Sequence, residues 1–492
     1  MIAHHFADGI SSYYKYNKHT ITGKVIENRI NNGQTYHFDY HDGYTIVTQA
    51  KDTPNESQTI YHFNEELRWT GITDGNGNHT QFILDSFGRL IEQIDPDGHT
   101  QTFSYAGDNL TAINQLIDID PVSRQPLWRT QQYTYQQGKL SNLIDPLGNS
   151  THIQYDEHGQ PTVITDANGH STHIERDNKG RVIRQTLANG SSYIYEYDLV
   201  GNLTQQTDCS GYTTHYQYDD MGRLTQVTDP MGQTTHYRYD TADYRTASPV
   251  QIHYPDGTQE QFAYDRQGRL LTYSDAKGQS THYQYEIDDL PKQRTDALGH
   301  TLTYHYDYSK AGLLKHQLDT GLHHYYRYDR AGQLTDKYSL TDRQYLTKVY
   351  AQIDKTNPFH HTEADYHRYQ QPLLGKNSPH RLRYQYDLAG QLIRAISPDA
   401  TTQLAYDPVG QLIQETLYRH HSHAELAENE TDSHSTLSQT LTHEYDELGN
   451  RIKTTLPDGK ALNQLYYGSG HLYNQSLTDE QGNIQEIRHS TT

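Results

Sequence analysis

Cysteine is nearly absent from this 492-residue sequence, which contains only Cys209. One cysteine excludes an internal disulfide framework, and its position in Asp208-Cys209-Ser210-Gly211 indicates a tolerated turn residue. No apolar run approaches the roughly 20 residues that a membrane-spanning helix needs. The first residues also lack the charged-then-apolar pattern of a signal peptide. We therefore predict neither a membrane span nor a classical leader.

Material for an aliphatic core is also scarce. Hydrophobic residues make up 33% of the chain, with 8 Phe, 2 Trp and 3 Met against 44 Tyr. The net charge of -21 and the mean hydropathy of -0.96 would fit a disordered chain, but Tyr and Thr are strand formers. The acidic balance disfavours nucleic-acid binding. These numbers favour ordered β structure without a large compact core, although the length exceeds that of a usual single domain.

What the sequence has instead is a repeat, and the repeat decides the fold class. Each copy contains a Tyr-Asp pair, with a Gly three residues after the Asp. In the clearest copy, Arg223 and Leu224 follow that Gly. The repeat positions are Tyr155, Asp156, Gly159, Tyr197, Asp198, Gly201, Tyr218, Asp219, Gly222, Tyr264, Asp265, Gly268, Tyr328, Asp329, Gly332, Tyr386, Asp387, Gly390, Tyr406, Asp407, Gly410, Tyr445, Asp446 and Gly449.

A second turn signal lies half a period away, as in Asp145-Pro146-Leu147-Gly148 and Asp229-Pro230-Met231-Gly232. Asp first, Pro second and Gly fourth suit a type I turn. The Asp carboxylate accepts backbone N–H groups, and Gly tolerates the left-handed exit. Two turns per unit leave strands of roughly five to seven residues, a typical length. Each unit is therefore predicted to be a β-hairpin.

The longer strand of each unit alternates in polarity. In residues 212–218, Tyr212, Thr214, Tyr216 and Tyr218 share one face, and polar side chains share the other. This pattern predicts two-faced strands whose Tyr rings stack across neighbouring strands. The shorter strand alternates less well, because Leu224 and Val227 differ in parity.

The number of strands constrains the architecture. About 23 units would give about 46 strands, which form a ribbon of roughly 220 Å at ~4.8 Å per strand. Open sheets of that size curl because each strand twists against the next. A compact chain of this length has a radius of gyration of only about 23 Å. We therefore predict an all-β fold, in which tandem hairpins of about 21 residues wind into a spiral, hollow, cocoon-like sheet.

The regularity of the repeat divides the chain into four segments. These are degenerate repeats at 1–84, regular repeats at 85–336, an irregular insertion at 337–380, and further repeats at 381–492 with a His-rich loop at 419–440.

Three stretches break the period and are interpreted as loops or decorations. They are Leu116–Arg129, Lys337–Pro379 and Arg419–Gln439.

The sequence nominates no catalytic residue, cofactor or metal site. The Asp of the Tyr-Asp pair recurs too often for a catalytic dyad, which needs one pair in a distinct environment. Phosphate-loop, nucleophile-elbow and Cys-x-x-Cys motifs are missing. Five histidines share one strand position, and a structural role is favoured over metal binding. They are His152, His173, His215, His236 and His282. Protonation of all 32 His would reverse the sign of the net charge, which is -21 with neutral His. This change leads to the hypothesis that mild acid loosens the fold.

The unit Tyr-Asp-x-x-Gly-Arg-Leu, found at 218–224 and 264–270, resembles the YD repeat of bacterial Rhs proteins. Related repeats occur in Tc-toxin C subunits and animal teneurins, and the segment 456–472 looks like enteric-type Rhs cores. The resemblance implies a spiral β-sheet cocoon around a C-terminal toxin domain, which is held unfolded or inactive. It also implies export, often through type VI secretion spike components, and a protective immunity protein.

The chain departs from the full family pattern at both ends. No spike-binding region precedes the repeats, and no terminal core motif or toxin tail follows them, so we expect a fragment. The leading hypothesis is a non-enzymatic shell segment of an Rhs-type polymorphic toxin, cytoplasmic before export, that serves contact-dependent competition between bacteria. The alternative is a cell-surface adhesion or carbohydrate-binding protein that uses exposed Tyr rows, since flat aromatic faces suit sugar rings.

Overall fold

The repeats form one antiparallel meander. The computed structural model describes residues 3–6, 10–53, 55–120, 122–240, 248–286, 289–308, 312–341, 381–420, 438–467 and 471–489. Within these ranges the chain forms forty β-strands and no α-helix. Each strand pairs with the next one along the chain. The predicted all-β hairpin ribbon is confirmed.

Most strands are five to seven residues long. The first twenty are β1 Ala3–His5, β2 Ser11–Tyr16, β3 Val25–Ile30, β4 Thr35–His41, β5 Tyr44–Gln49, β6 Ser57–Phe63, β7 Trp69–Thr73, β8 His79–Leu84, β9 Leu90–Ile94, β10 Thr100–Ala106, β11 Asn109–Ile119, β12 Pro126–Gln136, β13 Lys139–Ile144, β14 Ser150–Tyr155, β15 Pro161–Thr165, β16 Ser171–Arg176, β17 Val182–Thr186, β18 Ser192–Tyr197, β19 Leu203–Thr207 and β20 Thr213–Tyr218.

The remaining twenty strands continue the same up-and-down order. They are β21 Leu224–Thr228, β22 Thr234–Arg238, β23 Gln251–His253, β24 Gln259–Tyr264, β25 Leu270–Ser274, β26 Ser280–Tyr285, β27 Pro291–Thr295, β28 Thr301–Asp307, β29 Leu313–Asp319, β30 Leu322–Tyr328, β31 Leu334–Thr341, β32 Arg381–Tyr386, β33 Leu392–Ile396, β34 Ala400–Tyr406, β35 Leu412–Arg419, β36 Ser438–Tyr445, β37 Arg451–Thr455, β38 Ala461–Tyr467, β39 His471–Thr478 and β40 Ile484–His489.

The two kinds of turn lie on opposite edges of the ribbon. At the Tyr-Asp turn, the Gly222 N–H donates to the Asp219 carbonyl at 2.9 Å. At the half-period turn, the Gly232 N–H donates to the Asp229 carbonyl at 3.0 Å. Both glycines have positive φ, +77° and +81°, a conformation that a Cβ atom disfavours. The predicted turn chemistry therefore holds at both edges.

A β-bulge at each Tyr-Asp turn explains the weak alternation of the shorter strand. Gln217 pairs with Gln226, whereas the next residue, Tyr218, pairs with Leu224. The extra residue, Thr225, is left over, as in a bulge. The side-chain alternation restarts after it. Leu224 opposes Tyr218 and Val227 opposes Tyr216, so both aliphatic residues face the Tyr side of the sheet.

The stretch Leu116–Arg129 forms an extended hairpin, and its interpretation as a loop was wrong. Strands β11 and β12 each contain eleven residues, and the ladder between them runs from Ala112–Gln132 to Ile119–Pro126. The period is broken because these strands are longer than their neighbours. Consequently the β11–β12 tip projects beyond the edge formed by the half-period turns.

The other two irregular stretches lie mainly outside the described residues. The stretch Lys337–Pro379 begins inside β31, which ends at Thr341, and residues 342–380 are not described. Arg419 ends β35, and β36 begins at Ser438. Residues 421–437, most of the predicted His-rich loop, also fall outside.

Contacts between remote repeats show that the ribbon winds on itself. Arg330, in the turn after β30, donates to Asp97, in the turn after β9, at 2.9 Å. Twenty-one strand positions separate these two turns along the meander. At ~4.8 Å per strand, one turn of the coil has a circumference of about 100 Å. The predicted spiral therefore closes at least once.

The sheet encloses little core. Among the described residues, the buried apolar side chains are Tyr325, Tyr338, Leu340 and Ile396. Tyr325, Tyr338 and Leu340 form one cluster. The fold is stabilised mainly by the strand ladders, the turns and part-buried Tyr side chains, as the composition predicted.

Candidate functional site

The Tyr-Asp turns form a row along one edge of the ribbon, and Asp219 shows how a turn with an Arg four residues after the Asp is held. Its Oδ1 accepts the N–H groups of Met221 at 3.0 Å and Arg223 at 2.9 Å. Its Oδ2 accepts the Arg223 Nε–H at 2.7 Å. The hydrogen bond from the Arg223 backbone N–H is the main cause that lowers the pKa of Asp219. The Arg223 guanidinium lowers it further, whereas partial desolvation raises it. The carboxylate therefore both caps the turn and orients the arginine.

The arginine then contacts the tyrosine of the next unit. The Arg223 guanidinium lies 4.6 Å from the Tyr239 ring centroid, within cation–π range. The Tyr239 hydroxyl donates to the Leu224 carbonyl at 2.7 Å. The same arrangement recurs at Arg181 with Tyr197 and at Arg269 with Tyr285. We call this chain of contacts the Asp–Arg–Tyr ladder.

The ladder corrects the expectation that Tyr rings stack on one another. In the described residues between 85 and 240, no pair of aromatic rings is stacked. Equivalent Tyr residues lie two strands apart, about 9.6 Å, which exceeds the usual 4.5–7 Å between interacting rings. Arg fills this gap. The recurrence of Arg four residues after Asp was the sequence signal that would have revealed the ladder.

The five histidines at the common strand position do not converge. His152, His173, His215, His236 and His282 are all exposed. An intervening strand separates each from the next, as where His215 pairs with Gln205 and Thr228. In the part of the chain that the structure describes, no group of three His, Cys, Asp or Glu side chains could hold a metal ion.

Two buried histidine groups were not identified from the sequence. His316 and His323 are 6% and 8% exposed, and His316 Nε2 lies 3.1 Å from His323 Nδ1. Separately, His443 Nδ1 lies 3.0 Å from Thr454 Oγ1, and its Nε2 lies 3.1 Å from Glu415 Oε1. His316 and His323 lie on the two strands of one hairpin, β29–β30, and His443 contacts residues of the adjacent strands β35 and β37. None of the three occupies the strand position shared by the five repeated histidines, so the repeat pattern contains no signal for them.

Three of the predicted repeat turns meet an earlier part of the ribbon. We call this contact the seam: it joins the β9–β10 turn and the β11–β12 hairpin to the turns at 329–333, 387–391 and 407–411. Asp97 accepts from Arg330 Nε at 2.9 Å and from the Ala331 N–H at 2.7 Å. Burial and, to a smaller extent, the nearby charge of Asp97 raise the pKa of Asp329. The hydrogen bond from the Gln333 N–H acts in the opposite direction.

The β11–β12 hairpin supplies the rest of the seam. Gln115 Nε2 donates to the Ala389 carbonyl at 3.1 Å. Arg129 donates through Nε to the Pro408 carbonyl at 2.8 Å, and also to the Gln391 side-chain oxygen. Gln115 and Arg129 face each other across the hairpin. One extended hairpin therefore touches two successive Tyr-Asp turns of the next turn of the coil.

The geometry defines a class of protein: a β-hairpin repeat chain wound into a one-layer shell. No helix in the described ranges is long and apolar enough to cross a membrane. The predicted site residues lie along one edge rather than at one catalytic centre.

Comparisons with known proteins find RHS repeats in part of this chain. The profile described as RHS repeat matches this chain at 85–115, 129–171, 176–205, 197–230, 222–259 and 246–280. The matched segments within 85–280 are therefore RHS repeats, as the resemblance predicted.

One toxin protein and two Tc complexes are among the proteins that this chain resembles. The chain is 26% identical over 166 residues to toxin protein Tse5 of Pseudomonas aeruginosa, a match of 33% of this chain and 12% of Tse5. Its fold resembles the crystal structure of TcdB2-TccC3-TEV, with a TM-score of 0.57, 13% identity, and coverage of 95% of this chain and 27% of that one. It also resembles a mutant Tc holotoxin pore of Photorhabdus luminescens, with a TM-score of 0.56, 13% identity, and coverage of 97% and 30%.

The chain thus spans less than a third of the length of each of these proteins.

Proposed function

We propose that this chain is part of a hollow shell that encloses a toxin polypeptide. The observation that carries the proposal is the closed, coreless coil: the ribbon meets itself at the seam, and few side chains are buried. A one-layer wall without a core has an inner face that stays free for a guest. Tse5, which shares sequence with the repeats, is itself a toxin protein.

The size of the coil indicates the state of the guest. A circumference of about 100 Å corresponds to a diameter of about 30 Å, and a sheet with its side chains occupies about 10 Å of that. The bore is then about 20 Å, wide enough for an α-helix of 10–12 Å. A folded domain of about 100 residues, with a radius of gyration near 13 Å, would not fit at this level. The guest is therefore held unfolded or as separate secondary-structure elements.

The repeat residues act as building positions in this proposal. Asp219, Arg223 and Tyr239 are engaged with one another in the Asp–Arg–Tyr ladder, so their chemistry is used within the wall. We propose that the chain is not an enzyme and that its partner is a toxin domain. Export through type VI spike components, an immunity protein and contact-dependent competition between bacteria complete the proposal, by analogy with the family.

Carbohydrate binding through Tyr rows has less support. A sugar needs a free aromatic face, but the ladder places a guanidinium over Tyr197, Tyr239 and Tyr285 at 4.6–4.9 Å. Their hydroxyl groups are also bonded to backbone carbonyls. These rings therefore have little surface to offer a glycan.

Protection of a guest tests the shell function. A reporter enzyme of about 100 residues, fused after the C-terminus of the full chain, should be inactive and resistant to added protease. The same reporter mixed with the chain but not fused should be active and rapidly cleaved. Full activity and rapid cleavage of the fused reporter would contradict the proposal. Tight binding on a glycan array would instead favour the adhesion alternative.

A further inference from the structure

We propose that the shell opens along the seam, and that the hydrogen bonds of Arg129 and Asp97 hold the seam closed. Separating the wall anywhere else means breaking a β-ladder, such as the β11–β12 ladder with its seven residue pairs. Across the seam, the described residues make five hydrogen bonds, and each uses a side chain. Regions that open first are those with the fewest and most exposed bonds. This proposal concerns how the coil closes. It rests on the proposed function only in the inference that opening at the seam would release a guest.

The β11–β12 hairpin reaches the seam because of its length. Its strands have eleven residues, whereas the following strand, β13, has six. Five additional residues extend a strand by about 16 Å. That extension places Gln115 and Arg129 against the turns at 387–391 and 407–411.

Arg129 makes contacts that hold the two sides of the seam together. Its guanidinium bridges Pro408 and Gln391, which belong to two different Tyr-Asp turns. Gln391 in turn donates to the Gly410 carbonyl at 3.1 Å. A planar guanidinium with several fixed donors suits such a bridge better than an ammonium group does. Losing Arg129 should therefore release both turns together.

Asp97 fastens the other end of the seam by replacing a local carboxylate. In an ordinary turn the second N–H after Asp bonds to that same Asp, as Met221 does to Asp219. In the turn at 329–333, the equivalent Ala331 N–H bonds to Asp97 of the earlier coil turn. Asp97 also pairs with Arg330. The turn after β30 is thus completed by a residue more than 230 positions away.

Crosslinking tests whether the seam exists in solution. In a Cys209→Ser background, Asp97→Cys combined with Arg330→Cys should be joined by a short bis-maleimide, because these side chains touch. The Arg129 contacts remain in that variant. The matched control is Asp256→Cys with Arg330→Cys, since Asp256 holds the same position in the half-period turn Tyr254–Gly257. Equal crosslinking of both pairs, or of neither, would overturn the proposal.

Hydrogen exchange of the full chain, without a guest, tests opening. Arg129→Ala should increase exchange at the amides of 387–391 and 407–411 on the order of tenfold or more, because charged hydrogen bonds are lost. Arg129→Lys should give a smaller increase. Arg184→Ala, at an exposed arginine of β17, should change neither turn.

Two results of this measurement would overturn the proposal. One is an equal response to Arg129→Ala and Arg184→Ala. The other is faster exchange in every turn at once, which would mean global unfolding rather than opening at the seam. Because no guest is present in this experiment, it does not test the shell function, which the reporter assay tests separately.

Discussion

The strands β14–β22 and the strands β29–β31 are built from the same hairpin but bury different surfaces. In the first region, His215, three residues before the Tyr of its turn, is exposed. In the second, Tyr325 holds the same position and is 4% exposed. The Tyr-Asp turns nevertheless share the bond from the Gly N–H to the Asp carbonyl, at 2.9 Å for Gly222 and 3.3 Å for Gly332, and both glycines have positive φ. The unit therefore determines the turn, whereas the surroundings determine which face is covered.

The two regions also differ in how far apart along the chain their bonded residues lie. In β14–β22, the ladder partners of Arg223 lie within 16 positions along the chain, as in repeat proteins whose units contact mainly their neighbours. At the end of the second region, Asp336 of β31 pairs with Arg381 of the adjacent strand β32, 45 positions further along the chain. Substitutions should therefore have small, repeated effects in the first region and large, individual effects in the second.

The largest effect is expected at Tyr338, which is fully buried between the guanidinium groups of Arg327 at 5.2 Å and Arg381 at 5.4 Å. Tyr338→Ala should lower the free energy of unfolding by about 3–5 kcal/mol, because a large buried ring leaves a cavity. Chemical denaturation with local hydrogen exchange measures it. The control Tyr212→Ala removes a ring that is 62% exposed and should cost much less. Equal costs would erase the distinction between the two regions.

A smaller effect is expected at the turn glycines. Gly410→Ala and Gly232→Ala should each cost about 1–2 kcal/mol of folding stability, because both residues have left-handed φ, which a Cβ atom disfavours. A Cβ at Gly410 would also approach Arg129 Nη2 at 3.1 Å, while one at Gly232 would meet nothing within 4 Å. Gly410→Ala should therefore cost more, and it alone should increase exchange at the seam. Identical thermal stability and exchange for the two variants would refute the added role of Gly410.

Removing one ladder hydroxyl should have a still smaller effect. Tyr239→Phe deletes the bond to the Leu224 carbonyl and should cost about 0.5–1.5 kcal/mol. The ring and its contact with Arg223 remain. Tyr212→Phe, at an exposed ring, is the control and should be nearly neutral. A loss no larger than that of the control would show that the Tyr hydroxyl contributes nothing to the regular region.

The smallest effect is expected from mild acid. Burial, helped by the charge of Lys337 and opposed by Asp319, lowers the pKa of His324. Burial and the charge of His79 lower the pKa of His62. The unfolded chain then takes up protons first, so stability is complete above the unfolded pKa of about 6.5 and falls as pH drops through the lower folded values.

Melting temperature at pH 7.5 and pH 5.5 measures this loss. His324→Gln should reduce the difference between the two pH values, whereas His215→Gln, at an exposed position, should leave it unchanged. A melting temperature that does not fall between pH 7.5 and pH 5.5 would reject the hypothesis that acid loosens the shell.

Much of the fold follows from short-range pattern. The Asp, Gly and half-period Pro residues predicted both turns, and the strand count predicted a coil. The pattern failed where geometry depends on distance between strands. Rings of Tyr218 and Tyr239 recur every 21 residues, yet an intervening strand keeps them from stacking. Leu116–Arg129 resembled a loop because its strands exceed the period, not because they lack pairing.

The sequence by itself determined the hairpin unit, its turns and the all-β class, because these depend on φ preferences and on side chains a few residues apart. Only the tertiary structure decided which units meet. Asp97 and Arg330, or Arg129 and Pro408, are brought together by the accumulated twist of about twenty strands. Small rotations per strand add up to a closed coil, and no local motif records where the coil will close.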